Sequence, residues 1–382
     1  MGHMAGGDTD SIGLSTVVDV LDQRDLFDLL DNDDVLRLSR LGGVEGFSGL
    51  SNVRKSTGVR QRRILRQDVT PLDLAVRLCE RLQDSSECDL RDFHAVLLCH
   101  SHTDHRACRA LARGVEATFA LGQGQVMAFN FGCTGFLKLL QEAVLEITAA
   151  PPGARVAVLS VETPEFWHDA SDRLFCGLVS AGAVAAIVES DGQIPLHRVI
   201  ADDFVIPASR RPNPHPLFRT DNGEVFSFRG QRCQRTVMRM NPEPVFINAI
   251  ELMLENLRCA LESINVREGE RVIAIPHQPS GKLLRALIAA GQKEFPHVDF
   301  LNNLPECGNM ISAAVPTVLS RLDGVLASNG YAPLQQGDHL VMLAAGICMT
   351  DIADKMSAGY AHLQWSPALS TVSSRKLVAR SA

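Results

Sequence analysis

The sequence predicts an α/β protein built from two copies of one half, and two observations carry that prediction. The first is an alternation of short buried apolar runs with stretches whose apolar residues recur at helical spacing. The second is that this alternation occurs twice in the same order. Residues 93–99 are apolar and end at His100; residues 271–276 are apolar and end at His277. Phe131-Gly132-Cys133 precedes a helical stretch, as does Glu306-Cys307-Gly308-Asn309. Residues 153–160 and 337–344 are each a buried strand after a turn. From His100 to Cys133 is 33 residues and from His277 to Asn309 is 32. Pseudo-twofold halves place equivalent strand ends together, so Cys133, His277 and Asn309 are expected to converge.

Each element has its own warrant. Met1-Gly2-His3-Met4 resembles a cloning leader and is set aside. Residues 5–52, rich in Asp and Leu, suit a short strand followed by amphipathic helix. Residues 54–63 (R-K-S-T-G-V-R-Q-R-R) form a compact basic loop, either a solvated surface or a docking patch for an anionic partner. Residues 72–82 make a helix with Leu72, Ala75, Leu78 and Leu82 inward. His100, His102, Asp104 and His105 then match H-x-H-x-D-H, the spacing of two-zinc hydrolases, although the later histidines are not clearly placed to complete such a site. A strand entering Phe131 stops at Gly132, presents Cys133 and passes into a helix carrying Phe136, Leu139, Leu140 and Val144. That turn lifts a thiol out of the sheet, and the positive end of the helix favours its thiolate; the plainer alternative is a small buried residue at a junction. Residues 153–162 and 177–188 read as strands. The Pro-, Arg- and Asn-rich stretch 206–222 reads as a loop near the junction of halves 8–200 and 201–382, and residues 241–264 as a long helix.

Composition narrows the class. Hydrophobic residues make up 46% of the chain and charged residues 21%, an ordinary globular balance. No apolar run approaches the roughly 20 residues that span a bilayer. No secretory signal follows the leader, so a cytoplasmic location is expected. Ten scattered cysteines without a C-x-x-C pair argue for free thiols. A net charge of −7 argues against a dedicated nucleic-acid binder.

A cysteine, a histidine and an amide suggest acyl chemistry on sulfur. A thiolate exchanges with a thioester at little energetic cost, and backbone N–H groups can hold the tetrahedral oxyanion. Ala344-Ala345-Gly346-Ile347, at a strand end, offers such a donor with little side-chain obstruction. His277 and Asn309 can orient the nucleophile or stabilise an enolate; each also has a plain structural reading, Asn309 as a helix cap.

Between about Arg54 and Thr350 the chain resembles the β-ketoacyl-ACP synthase III-like members of the thiolase superfamily. The resemblance rests on T-G-V-R-Q-R-R at 57–63, F-G-C-T-G-F at 131–136, D-R at Asp172-Arg173, N-G-E-V-F-S-F at 222–228, I-P-H-Q-P-S-G-K at 275–282 and G-N-M-I-S-A-A-V-P at 308–316. It implies a duplicated five-layered α/β/α/β/α thiolase fold, a homodimer, and no cofactor beyond the acyl thioester substrate. It makes Cys133 the acylated nucleophile, with its own N–H and that of Gly346 as oxyanion hole. His277 and Asn309 would bind a malonyl-type extender, and Arg173 would pack on the coenzyme A adenine. Arg60 and Lys282 join Arg173 as candidate contacts to coenzyme A or a carrier protein. The family's tryptophan facing that arginine falls near Asn52 here, and the arginine before T-G is Ser56. The usual G-D-G-A is Ser180-Ala181-Gly182-Ala183, and the glycines after Gly346 are Ile347-Cys348-Met349. These departures point to a carrier-protein-bound donor and a specialised biosynthetic member.

The expected reaction is ping-pong acyl transfer: an acyl group loads on Cys133, then a malonyl or β-ketoacyl nucleophile takes it in a carbon–carbon bond. Transfer to a hydroxyl or amine is the alternative within the same fold, and a zinc hydrolase at His100–His105 the distant one. No metal, membrane or nucleic-acid partner is expected. The acyl pocket is expected to draw on residues around 100–125 and 205–240.

Overall fold

The computed structural model describes residues 12–43, 45–213, 215–350 and 352–366. In chain order the first half supplies the strands Ile12–Asp19, Ala95–Cys99, Val126–Phe129, Arg155–Glu162 and Gly182–Ser190. They lie side by side as third, second, fourth, fifth, first. The second half supplies Ile194–Val205, Val272–Pro276, Val298–Phe300, His339–Ile347 and Lys355–Gln364, in the same spatial order. Pairing directions repeat as well. In each half the second strand is parallel to the third and fourth, and the fifth is antiparallel to the fourth and first. The two sheets meet at their first strands, where Gly13 and Leu14 pair with Pro195 and Ile194. Position 200 falls inside the strand Ile194–Val205, and by strand order the short turn at 191–193 separates the repeats.

Three helical layers enclose the sheets. Helix Gly135–Ala149 and the short helices Ala314–Ser320 and Leu322–Ser328 fill the space between them, sharing one apolar cluster with both inner faces. A helix between two sheets must be apolar on most sides, and Phe136, Leu137, Leu139, Leu140, Ala143 and Ile147 are all buried. Outer helix Pro71–Ser86 buries a single stripe, Leu74, Ala75, Leu78, Cys79 and Leu82. Its start is fixed by Pro71 and a reciprocal cap between Thr70 and Asp73. With His105–Phe119 it covers the first sheet; Pro242–Ser263 and Gly281–Glu294 cover the second. Full burial of each Leu or Val in these faces is worth about 1.5–3 kcal/mol.

Three expectations need correction. The stretch 206–222 is not loop throughout: Phe218–Phe226 pairs along its length with Arg232–Met240 as a two-stranded ribbon. Residues 177–181 lie outside the strand, which begins at Gly182, and within them Val179 bridges to Asn309. The apolar stretch after Ile311 breaks at Arg321, whose guanidinium grips Asp19 of the first strand at 2.6 and 2.8 Å. The basic loop also divides. Arg62 is fully buried, donating to the Gly177 carbonyl, Asn32 and Thr57, and Arg63 donates to the Leu21 and Glu306 carbonyls. Both arginines are thus engaged inside the protein, and Arg63 reaches the second half at Glu306.

Candidate active site

The nucleophile's position follows from two glycines and a strand end. Gly132 has φ 77°, and a Cβ there would sit 2.4 Å from the Ile347 carbonyl oxygen. The close approach lets Gly132 bridge to Cys348, clamping the Cys133 turn to the end of His339–Ile347 in the other half. Gly346 clears the sulfur itself: a Cβ at 346 would lie 2.6 Å from Cys133 Sγ. His277 follows Val272–Pro276, and its backbone N–H donates to the Leu343 carbonyl at 2.6 Å. Asn309 is held by its backbone, donating to Leu178 O at 2.8 Å and accepting from Ser180 N–H at 2.9 Å. Its Oδ1 accepts from Ile311 N–H at 3.0 Å, as a cap would, while Nδ2 donates to Pro279 O at 3.3 Å. An amide carries two N–H donors, so one is left for a ligand.

Cys133, His277, Asn309 and Gly346 all line one cavity of about 760 Å³. Burial pushes the Cys133 thiol up to about 12, against the pull of the Ile347 and Cys133 backbone N–H groups and with a further push from Glu162. The expected thiolate at a helix N-terminus is therefore not the resting form: the helix begins two residues on, at Gly135, and desolvation outweighs it. Ile347 N–H, from the second half, is one of the groups that pull the thiol down, and Gly346 leaves room beside the sulfur. His277 is 1% exposed, neither ring nitrogen has a partner among the described residues, and burial lowers it to about 4. It is a neutral donor–acceptor at pH 7 and a weak base.

Several functional neighbours carry no sequence motif. Glu162 ends its strand fully buried, with burial raising it to about 8. It accepts from Ser101 N–H and Oγ at 3.1 and 2.8 Å and from Ser312 Oγ, tying the Asn309 segment to the first half. The one available signal was a carboxylate closing an otherwise apolar strand. Trp167 and His168 also line the cavity.

Of the candidate binding residues, Arg173 and Lys282 line the cavity at its exposed edge. Asp172 beside Arg173 is bound to Arg239, 2.9 Å away, which also holds Asp169 at 2.9 Å and so pins the ribbon over this loop. Lys282 Nζ lies 5.4 Å above the Phe246 ring. Asn52 and Ser56 line the same cavity. Arg60 does not; it is paired with Glu306. From the ribbon come Phe218, Met238 and Met240, whereas nothing in 100–125 reaches the cavity.

The zinc alternative is not supported by the loop's geometry. His100 Nδ1 donates to the Val161 carbonyl at 2.7 Å, His102 Nδ1 accepts from Asp104 N–H at 2.9 Å, and Asp104 is bound by Arg106. Among the described residues no group of three His, Cys, Asp or Glu is placed to hold a metal ion.

No protein-family model matches the chain. Over 297 residues it is 25% identical to β-ketoacyl-[acyl-carrier-protein] synthase III of Cereibacter sphaeroides, covering 77% of this chain and 86% of the relative. The chain is a divergent relative of β-ketoacyl-ACP synthase III. The crystal structure of 3-oxoacyl-(acyl carrier protein) synthase III from Pseudomonas aeruginosa PAO1 superposes with TM-score 0.66 at 22% identity, covering 93% of this chain and 98% of that one. The priming β-ketosynthase of the R1128 polyketide pathway superposes with TM-score 0.68 at 19% identity, covering 95% and 98%. This synthase III-like chain has the thiolase fold, and its strand duplication is that fold's architecture. Among the described residues no helix is long and apolar enough to cross a membrane.

Proposed function

We propose that this chain is a synthase III-like acyltransferase that forms a carbon–carbon bond at Cys133. The observation carrying this reading is the convergence of Cys133, His277 and Asn309 in one cavity, with Ile347 N–H beside the sulfur. The Cys133 sulfur attacks the carbonyl of an acyl thioester; a new S–C bond forms, and the donor thiol leaves with the proton. The tetrahedral oxyanion lies against the N–H groups of Cys133 and Ile347, a pairing that replaces Gly346 with its neighbour.

In the second half-reaction His277 and Asn309 Nδ2 donate to the thioester carbonyl of a malonyl-type extender. Loss of carbon dioxide leaves an enolate, whose carbon attacks the acyl carbon. The C–S bond to Cys133 breaks, and the sulfur regains a proton. A histidine lowered to about 4 is a donor rather than a general base. That favours condensation over transfer to an alcohol or amine, where a base is required. Fatty-acid or polyketide-type biosynthesis is the setting such a step serves. No cofactor enters it, and a cytoplasmic twofold homodimer is part of the proposal.

His277→Ala and Asn309→Ala test the division of labour. Each is expected to lower decarboxylative condensation by at least about 100-fold while leaving acylation of Cys133 within about threefold of wild type. Acylation lost in step with condensation would instead assign both residues to nucleophile activation.

A further inference from the structure

Glu162 is fully buried, yet neither half-reaction uses it. Its Oε1 accepts from the hydroxyls of Ser101, at 2.8 Å, and Ser312, and its Oε2 accepts from Ser101 N–H at 3.1 Å. Both serines are fully buried too. Ser101 lies just past the strand Ala95–Cys99 of the first half, and Ser312 three residues after Asn309 in the second. Between Asn309 and Ser312 the backbone passes through Ile311 with φ 51°. A β-branched residue in the left-handed region is strained, and such a conformation persists only where its surroundings over-determine it.

The strained turn bears directly on the Asn309 amide. The bonds to Leu178 and Ser180 fix the Asn309 backbone and leave its side-chain torsions free. Two contacts set those torsions: Oδ1 accepts from Ile311 N–H at 3.0 Å, and Nδ2 donates to Pro279 O at 3.3 Å. The first is the closer, so the amide follows the peptide joining Met310 to Ile311. Relaxation of Ile311 to negative φ would turn that peptide relative to Ser312. An anchor at Ser312 resists the rotation, and its hydroxyl on Glu162 supplies one. Glu162 is held in turn by Ser101 of the first half.

We propose that Glu162 is a positioning residue for carbon–carbon bond formation: through Ser312 it holds the turn at Ile311 that orients the Asn309 amide. The inference rests on the reading of Asn309 as a donor to the extender carbonyl. Glu162 does not line the cavity, so it acts through the turn and exchanges no proton with substrate. A donor misplaced by about 1 Å can cost a factor of about 100 in rate, and a partial release of the turn is expected to cost about tenfold or more.

The test follows both half-reactions with straight-chain acyl-pantetheines as donors and malonyl-pantetheine as extender. Acylation of Cys133 is timed by intact-protein mass spectrometry and condensation by release of carbon dioxide. Ser312→Ala removes only the hydroxyl, and Glu162→Leu keeps bulk without an acceptor. Each should lower condensation about tenfold or more and leave acylation within about threefold of wild type. Glu162→Gln is the conservative variant: its oxygen can accept from Ser101 N–H and its amide nitrogen can donate to both serine hydroxyls. It should restore condensation to within about threefold of wild type. Glycine adopts the left-handed turn without strain, so in an Ile311→Gly background the further cost of Ser312→Ala should shrink below about threefold. Thermal unfolding confirms that each variant is folded, and Ser312→Ala carries the test if Glu162→Leu is not. Condensation untouched by Ser312→Ala but lost in Asn309→Ala would overturn the inference alone. So would acylation lost in step with condensation, or an undiminished cost in the glycine background. Glu162→Gln as impaired as Glu162→Leu would give the carboxyl a proton-transfer role and overturn it too. Failure of every donor to label Cys133, or unimpaired condensation in Asn309→Ala, would overturn the proposed function and this inference together.

Discussion

Gly346→Ala isolates the geometry around the sulfur. The added methyl carbon would lie 2.6 Å from Cys133 Sγ and 2.8 Å from Cys133 Cβ. Comfortable non-bonded separations are about 3.5–4.0 Å, so relief requires a displacement of about 1 Å at the reacting atom or at Ile347 N–H. Neither side yields easily, because Cys133 is 8% exposed and the turn is bridged to the strand end through Gly132 and Cys348. Misplacement of about 1 Å can cost a factor of about 100 in rate, and overpacking costs about 1–3 kcal/mol of stability. Gly346→Ala should therefore lower the first-order rate of Cys133 acylation about 100-fold, read by stopped-time mass spectrometry on folded protein. Gly324→Ala is the control: no atom of the described residues lies within 4 Å of a Cβ there, and it sits in a helix. It should leave acylation unchanged and raise stability by about 0.5–1 kcal/mol. Acylation by the Gly346 variant within about threefold of wild type would refute the account of how the strand end meets the thiol.

Two further predictions concern charge. Burial lowers His100 and His277 to about 4 and His168 and His362 to about 3. The unfolded chain binds protons at these groups below about pH 6.5 while the folded chain does not, so each contributes stability present above 6.5 and lost as pH falls toward its folded value. The slope is up to about 1.4 kcal/mol per pH unit for each histidine. Glu162 and Glu165, raised to about 8 and about 7, oppose this between about pH 4.5 and those values. With four groups against two, denaturant midpoints should fall between pH 6.5 and 5, and a flat or rising midpoint would contradict the assignment of neutral buried histidines. Arg173→Ala and Lys282→Ala, at the exposed edge of the cavity, should each raise KM for a phosphate-bearing acyl donor about three- to fivefold without lowering kcat. Arg60→Ala, paired with Glu306 outside the cavity, should leave KM unchanged; equal effects at all three positions would mean a diffuse charge contribution instead.

The frame of the site was legible because duplication leaves a linear trace. Short apolar runs ending at His100 and His277, and Gly-containing turns before Cys133 and Asn309, occur at matching intervals, and the sheets repeat one strand order. What escaped was set by partners distant in sequence. The ribbon Phe218–Phe226 and Arg232–Met240 alternates polar and apolar residues too weakly to stand out among prolines and arginines, yet it supplies cavity wall and is pinned through Arg239 to Asp169 and Asp172. Arg62 looked like surface charge, but the Gly177 carbonyl, the Asn32 amide oxygen and the Thr57 hydroxyl enclose it. The protonation state of Cys133 was inverted for a similar reason. The helix start is local and visible, whereas burial by the second half is not. The same distance hid the approach of Ile347 to the sulfur, across the bridge between Gly132 and Cys348.

The central claim is acyl capture on one sulfur among ten cysteines. Incubation with a panel of acyl thioesters, proteolysis and mass spectrometry of every cysteine-containing peptide test it directly. The account predicts one acyl mass per chain on the peptide containing Cys133, absent from Cys133→Ala and released when a malonyl thioester is added. Label on exposed Cys259 instead, or a folded protein that accepts no acyl group from any donor, would contradict it.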